Sequence, residues 1–390
     1  MTWIDELPTP AVLVEKTRLE ANIAGMQARA DAQGVALRPH TKTHKSVRIA
    51  KLQREAGARG LTVAKLGEAE VLVDAGFSDV RLAYPLVSTD KLDRAQRLME
   101  RARISFCVDT IEAARLASSH FEHTSAQAQV MVEVDIGYGR CGVRWDVRDS
   151  IDFVTRLTEM PGLRVCGILT HAGHSYNGPA EGQSEEAALR AVSNQERDRM
   201  LAFAAALQEA GVPGVEPGAF EISVGSTPSV RYFESAEDRG FRVTEIRPGN
   251  YVFHDAIQVA LGVAGWDECA LTVHASVISR HRNDDGSDRV FLDAGKKVFT
   301  SDLVPSLGVH GTLLYNPRVM EPLPHARLHG LSEEHGWVSV SGGTTLNVGD
   351  RVRVVPAHSC VVTNMLDEFH IVDGERVLES WRVDSRGRVS

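Results

Sequence analysis

Cysteine is scarce in this chain. Its 390 residues hold five (Cys107, Cys141, Cys166, Cys269 and Cys360), an odd number with wide spacing, which argues against a disulfide framework. Any cysteine with a role must therefore be argued from its own neighbours. Positive charge is in deficit as well: 43 Lys+Arg face 52 Asp+Glu, a net charge of −9. That balance argues against nucleic acid or an anionic membrane surface as the main partner, while leaving room for a local basic site that holds a small anion. No run approaches the roughly 20 apolar residues of a membrane span. The segment MTWIDELPTP has no basic region followed by an apolar core, so the expectation is a cytoplasmic protein. No repeat or low-complexity segment interrupts the chain. What remains, 43% hydrophobic and 24% charged, is ordinary globular composition with length for two domains, one of barrel size.

Strand-like runs alternate with helical patterns through the first two thirds, which is the signature of a parallel α/β sheet. The runs are Val35–Arg38, Leu61–Ala64, Val80–Ala83, Ile104–Val108, Val130–Val134, Arg164–Leu169, Phe220–Val224 and Arg242–Ile246. Intervals such as Ser88–Arg101 and Glu185–Ala210 are long enough for crossover helices, and a helix near Lys16–Ala32 precedes the first strand. Eight such units predict a closed (β/α)8 TIM barrel. After about Gly265 the segments become short, valine-rich and separated by turn pairs such as Asp285-Gly286, Gly342-Gly343 and Asp373-Gly374, which predicts an antiparallel β domain. The expected division is a barrel over 11–260 and a β domain over 1–10 and 261–390, with Arg280–Asp288 an exposed loop.

Barrel active sites gather at the C-terminal ends of the strands, with phosphate often held after strands 7 and 8, and the polar oddities fall there. After strand 1 comes Arg38-Pro39-His40-Thr41-Lys42-Thr43-His44-Lys45. If extended, it turns His40, Lys42 and His44 to one face. A lysine between two imidazoles has a lowered pKa and more free amine to attack a carbonyl; the same cluster also reads as a solvated basic strand end. After strand 5 comes Asp135 to Gly142, and after strand 6 His171-Ala172-Gly173-His174-Ser175-Tyr176. Gly225-Ser226-Thr227-Pro228-Ser229 and Pro248-Gly249-Asn250-Tyr251 come after strands 7 and 8. Their glycines, amides and hydroxyls suit a phosphate, though each alone also reads as a simple turn. An aldehyde-seeking lysine opposite a phosphate cradle suits pyridoxal 5′-phosphate (PLP). In the β domain, Pro356-Ala357-His358-Ser359-Cys360 puts an imidazole and a thiol two apart, a pair suited to Zn²⁺ with the remaining positions left to water or substrate, or else a buried cysteine beside a structural histidine. Cys141 and Cys166 read as packed.

RPHTKTHK, the Asp-x-Gly-x-x-Arg-x-Gly pattern at 135–142, HAGHSY, SVGSTPS, PGNY and the late His-x-Cys together resemble the eukaryotic-type, zinc-dependent D-serine dehydratases, over residues 38 to 360. That family is similar in fold to alanine racemase and includes D-threonine aldolases and 3-hydroxyaspartate dehydratases and aldolases. The resemblance implies a PLP-binding barrel with a C-terminal β domain, active as a homodimer. It implies Lys42 as the Schiff-base lysine and α-proton base, Arg140 near the PLP ring and Tyr176 beside the cofactor. Gly225, Ser226, Thr227, Gly249, Asn250 and Tyr251 would bind PLP. His358 and Cys360 would hold Zn²⁺, or another divalent cation such as Mn²⁺, Mg²⁺ or Co²⁺. The expected activity is D-serine conversion to pyruvate and ammonia, with neither nucleic acid nor membrane as partner. The alternatives are aldol cleavage with His171 or His174 as base, or dehydration of D-threo-3-hydroxyaspartate. A racemase needs a second acid/base opposite Lys42 and has no use for His-x-Cys. A non-catalytic PLP carrier lacks a β domain, so the roughly 125 residues after Gly265 count against it.

Overall fold

The structure, a computed structural model, describes residues 2–124 and 126–390. It separates into two compact units: Met26–Lys42, Ala50–Gly249 and Arg388–Ser390 form one, and Met1–Gly25, Thr43–Ile49 and Asn250–Gly387 the other.

The first unit is built on eight parallel strands: β1 Ala36–Leu37, β2 Leu61–Val63, β3 Asp79–Pro85, β4 Arg103–Val108, β5 Ala128–Asp135, β6 Leu163–Thr170, β7 Glu221–Val224 and β8 Glu245–Ile246. Each matches an expected run. They pair in sequence order from β2 to β8, and β8 pairs with β1 through Glu245↔Ala36 and Ile246↔Leu37. A parallel bridge between His40 and Thr62, with Thr62 N donating to Pro39 O at 2.8 Å, closes the ring. The central strands are buried over nearly their whole length, as parallel strands covered by helices must be. Crossover helices present narrow apolar stripes: Thr89–Met99 buries Leu92, Ala95 and Leu98, spaced for one face. Thr110 caps Ile111–Phe121 by accepting from Ala113 N, and Ser184 caps Glu185–Glu209 by accepting from Ala187 N.

The barrel floor is ionic where a TIM barrel ordinarily stacks branched aliphatics. Arg38 donates from Nε to Glu245 at 2.8 Å and from Nη1 to Asp79 at 2.7 Å. Arg81 bonds to Glu245, Glu221 and Ser105, and Arg103 reaches Glu221 at 2.6 Å. Arg38, Arg81 and Glu245 are essentially inaccessible to solvent. The two guanidiniums hold the Glu245 carboxyl far below the ordinary carboxylate range, overcoming a burial that alone would raise it.

In the second unit an antiparallel sheet contains β9 Leu271–Arg282, β10 Asp288–Leu292, β11 Gly311–Asn316, β12 Ala326–Leu331, β13 Gly336–Val340, β14 Arg351–Pro356, β15 Glu368–Asp373 and β16 Arg376–Arg382. Its membership corrects the expected boundaries. The N-terminal strand Ala11–Glu15 belongs here, parallel to β15 and antiparallel to β9, rather than opening the barrel. Five consecutive buried residues need cover on both faces, and inside this sheet the strand has it along with a partner on each edge. The unit also begins at Asn250 and not at 261. Arg280–Asp288 is no open loop: Arg280, His281 and Arg282 pair with Val290, Arg289 and Asp288 across the Asp285-Gly286 turn. Asp288 is fully buried and accepts from Arg280 at 3.0 Å and Thr344 N at 2.7 Å. Among the described residues no helix is long and apolar enough to cross a membrane.

Candidate functional site

In the barrel unit, the expected groups stand at the C-terminal strand ends. The segment after β1 is not extended, as the alternation argument assumed. Thr41–Thr43 forms a single 3-10 turn, with Thr41 Oγ1 donating to Thr62 O and His40 Nδ1 accepting from Lys42 N at 3.4 Å. His44 is fully buried and Lys42 half-buried, so the two do not share one exposed face. The turn therefore replaces strand alternation as the device that presents Lys42.

The loop after β5 explains its own spacing. The Asp135 carboxylate accepts from Gly137 N, Tyr138 N and Gly139 N at 2.8, 2.9 and 3.0 Å, locking the chain back on itself. Gly142 (φ +109°) leaves no room for a side chain: a Cβ there would lie 2.6 Å from Asp135 N. The loop so fixed displays Tyr138 and Arg140. Arg140 lies 3.5 Å from Glu133, whose carboxyl is pushed up by burial and only partly restored by Arg140. Tyr138 stands edge-on to His171 with ring centres 6.0 Å apart, and lies flat against Gly173.

His171 is held well below its ordinary pKa, first by burial and then by Lys42, Arg140, Arg247 and His174. The fold thus brings Lys42, Arg140, His171 and His174 into one electrostatic neighbourhood, with the imidazole neutral at physiological pH. Burial lowers His174 too. Tyr176 ends the 3-10 turn Gly173–Tyr176, half-buried. Arg247 is buried and donates from Nη1 to Ser223 Oγ and from Nη2 to Thr170 O.

The turn after β7 has the donor chemistry of a phosphate cradle. Gly225 has φ +112°, and a Cβ there would meet Val230 at 2.9 Å. Ser175 Oγ lies 3.0 Å from Ser226 Oγ, which lies 3.1 Å from Ser229 Oγ, so three hydroxyls line one turn with Thr227 beside them. Beneath it sits a residue missed from the sequence: Glu196, completely buried, accepting from Gly225 N at 2.8 Å. Burial pushes its carboxyl up. Its signal was present in the pattern, because Leu189, Ser193, Glu196, Met200 and Phe203 form one buried stripe of Glu185–Glu209. Gly249, buried, closes the barrel unit.

Asn250 and Tyr251 belong to the second unit. The Asn250 amide is spent on Asp255 Oδ2 at 2.5 Å and Ser359 Oγ at 3.3 Å, so its side chain supports the His358–Cys360 segment and is not a free phosphate donor. Tyr251 is wholly buried. His358 Nδ1 lies 2.7 Å from Asp302 Oδ2, a second residue the sequence reading missed, and Cys360 Sγ lies 3.1 Å from Thr43 Oγ1. Cys360 and Asp302 raise the His358 pKa well above its ordinary value, overcoming burial. With Nδ1 held by a carboxylate, Nε2 is the nitrogen left to a metal, the usual arrangement behind a metal-bound histidine. Among the described residues no group of three or more His, Cys, Asp or Glu side chains gathers around a cation position. The pair fits an open site completed by water or substrate. Cys141 is exposed, contrary to the expected packing, whereas Cys166 is half-buried and packs against Cys107, Met131 and Leu169 as expected; burial raises both thiols, so neither is a thiolate.

Residues 14–256 match the family model "Alanine racemase, N-terminal domain", and residues 270–372 match "Putative serine dehydratase domain". The chain belongs to this family. It is similar to the D-threo-3-hydroxyaspartate dehydratase of Delftia sp. (strain HT23), 34% identical over 96% of this chain and 97% of that protein. It is 31% identical to the D-threonine aldolase of Arthrobacter sp, covering 97% and 93%. The solved structure of the Delftia sp. HT23 dehydratase superposes with a TM-score of 0.86 at 32% identity, covering 98% of this chain and 99% of that one; structures of the enzyme include a cysteine-to-alanine mutant in the metal-free form. Such family members are dehydratases and aldolases, that is, lyases, and PLP is the cofactor expected of them. Lys42, Arg140 and the hydroxyl-lined turn at 225–229 are residues that fit it.

Proposed function

We propose that this chain is a PLP- and metal-dependent lyase that dehydrates a D-3-hydroxy amino acid, with D-serine and D-threo-3-hydroxyaspartate as the candidate substrates. The observation that carries the reading is the convergence of Lys42, Arg140 and a neutral His171 at the strand ends of the unit that also holds the Gly225–Ser229 turn. PLP, when bound, supplies an electron sink for charge at Cα. Lys42 carries the amine that would hold the cofactor aldehyde, and the same amine would serve as base for the α-proton. Gly225, Ser226 and Thr227 would hold the phosphate, and Arg140 would stand beside the cofactor. His171, unprotonated, can accept a proton without first losing one. His358 and Cys360 would hold a Zn²⁺, whose Lewis acidity makes hydroxide a tolerable leaving group. The metal-free cysteine mutant of the Delftia enzyme supports that placement.

Aldol cleavage is the second reading, favoured by the 31% identity to a D-threonine aldolase and by two histidines, His171 and His174, suited to a base's role. A homodimer and a cytoplasmic location belong to the same proposal, carried by the resemblance to the D-serine dehydratases. The test is a product assay on purified protein with D-serine, D-threonine and D-threo-3-hydroxyaspartate, with EDTA and then with Zn²⁺ restored. Metal-dependent 2-oxo acid and ammonia, abolished in Lys42→Ala together with the lysine-bound PLP absorbance, is the expected result. Glycine and an aldehyde would replace dehydration with aldol cleavage.

A further inference from the structure

The second unit contains a cavity of about 380 Å³ that the proposed lyase chemistry does not use. Its volume lies at the lower end of the range for small-molecule pockets, about 300–1,000 Å³. The N-terminal strand, the start of the helix Lys16–Ala32, the turn after β11, β14 and the β15–β16 turn all contribute to its wall. Six charged residues line it: Arg18, Arg318 and Arg353 against Glu15, Asp373 and Glu375. A cavity that merely lacked packing would be apolar.

Two of these groups are under-compensated. Arg353 is only 4% exposed. It donates from Nε to Thr272 Oγ1 at 3.0 Å, but its Nη2 is buried with no acceptor within hydrogen-bond distance. A buried donor left unmade is costly, more so on a charged group. Burial draws its pKa down to about 10, because the attraction of Glu15 is weaker than the desolvation. Glu15 comes from the strand on the other side of β9 and is 7% exposed. It accepts from Gly374 N at 3.2 Å and stands 3.9 Å from Arg18, yet burial still raises its carboxyl. The cavity therefore presents an unpaired fork of N–H donors and, on a neighbouring strand, a carboxylate short of positive charge. One small molecule carrying a carboxylate and an ammonium satisfies both.

We propose that this cavity binds a small zwitterion of α-amino acid chemistry, its carboxylate on Arg353 and its ammonium on Glu15. A planar guanidinium suits a carboxylate in bidentate fashion. Arg18 and Asp373 extend the same pattern at the wall. Lys42 is not among the lining residues, so occupation does not depend on it.

Glycine is the probe, and thermal unfolding of the full-length PLP-loaded protein is the readout. Mass action at ten times the dissociation constant raises the midpoint by about 2 °C for a chain of this length. The rise is expected in the wild type and in Lys42→Ala, and absent in Arg353→Gln. Glu15→Gln keeps an oxygen for Gly374 N while removing the charge, and is also expected to lose the rise, which covers the case in which Arg353→Gln fails to fold. Loss of the rise in Lys42→Ala with retention in Glu15→Gln would put the glycine in the barrel and overturn the proposal. So would a rise given equally by acetate, which lacks the ammonium, or no rise up to about 0.1 M glycine, ten times a dissociation constant of about 10 mM.

Discussion

Glu196 offers a sharp test of how the barrel holds a phosphate. Its carboxyl lies beneath the Gly225–Ser229 turn, completely buried, and accepts from Gly225 N at 2.8 Å. Glu196→Ala leaves that buried N–H without an acceptor, at about 1–3 kcal/mol. The turn must be ordered to hold the cofactor, so the loss falls on PLP affinity, as a weakening of about 5- to 150-fold. Glu196→Gln keeps an acceptor oxygen and an uncharged group, and should stay within about threefold. The pH dependence comes from the raised carboxyl. A group whose pKa is raised on folding contributes fully below its ordinary value, and the contribution is lost as pH rises through the folded value. PLP affinity of the wild type should therefore weaken as a negative charge appears under the phosphate, and Glu196→Gln should flatten that limb. The assay is absorbance titration of the PLP-free protein at a series of pH values. Equal weakening by Gln and Ala, or an unchanged pH profile in Glu196→Gln, would refute the reasoning.

Asp302→Asn removes the carboxylate from His358 Nδ1 and should weaken Zn²⁺ affinity about 10- to 100-fold, read by competition with a chromophoric chelator, with excess metal restoring activity. In Gly173→Ala the new Cβ would stand 2.2 Å from the Tyr138 ring, which is 43% exposed and can swing aside; the loss of its edge contact with His171, about 0.5–1.5 kcal/mol, should appear in KM, while thermal unfolding is nearly unchanged. Glu245→Gln leaves Arg38 and Arg81 short of a buried partner, and urea unfolding should show a loss of about 3–5 kcal/mol. Because the Glu245 carboxyl is held below its ordinary range, its contribution is present above about pH 4.3 and lost as pH falls, so the variant should also lose part of the acid-unfolding limb.

The barrel was legible because each strand is a short buried run with a helix-length interval behind it, and period and burial leave their mark directly in composition. The motifs at the strand ends were legible for the same reason: placing the strands also places the loops that leave them. Asp302 was not, because it meets His358 from 56 residues away, in a loop with no pattern of its own. The floor carboxylates and arginines were hidden differently. Asp79, Arg103 and Glu221 stand at strand starts, where charge ordinarily marks the surface, and only closure of the ring turns them inward. The RPHTKTHK segment misled because its alternation suited a strand, whereas one turn ends the strand before Lys42.

The same floor bears on how the chain comes together as it leaves the ribosome. Arg38, Arg81 and Arg103 are synthesised with only Asp79 among their eventual carboxylate partners nearby; Glu221 and Glu245 arrive more than a hundred residues later. The first half of the barrel thus carries a cationic surplus on its inner wall, and the second half the matching anionic one. Neither half can shed water from those charges alone. The strand Glu245–Ile246 works as a keystone, and a nascent barrel that lacks it has no dry interior to collapse around.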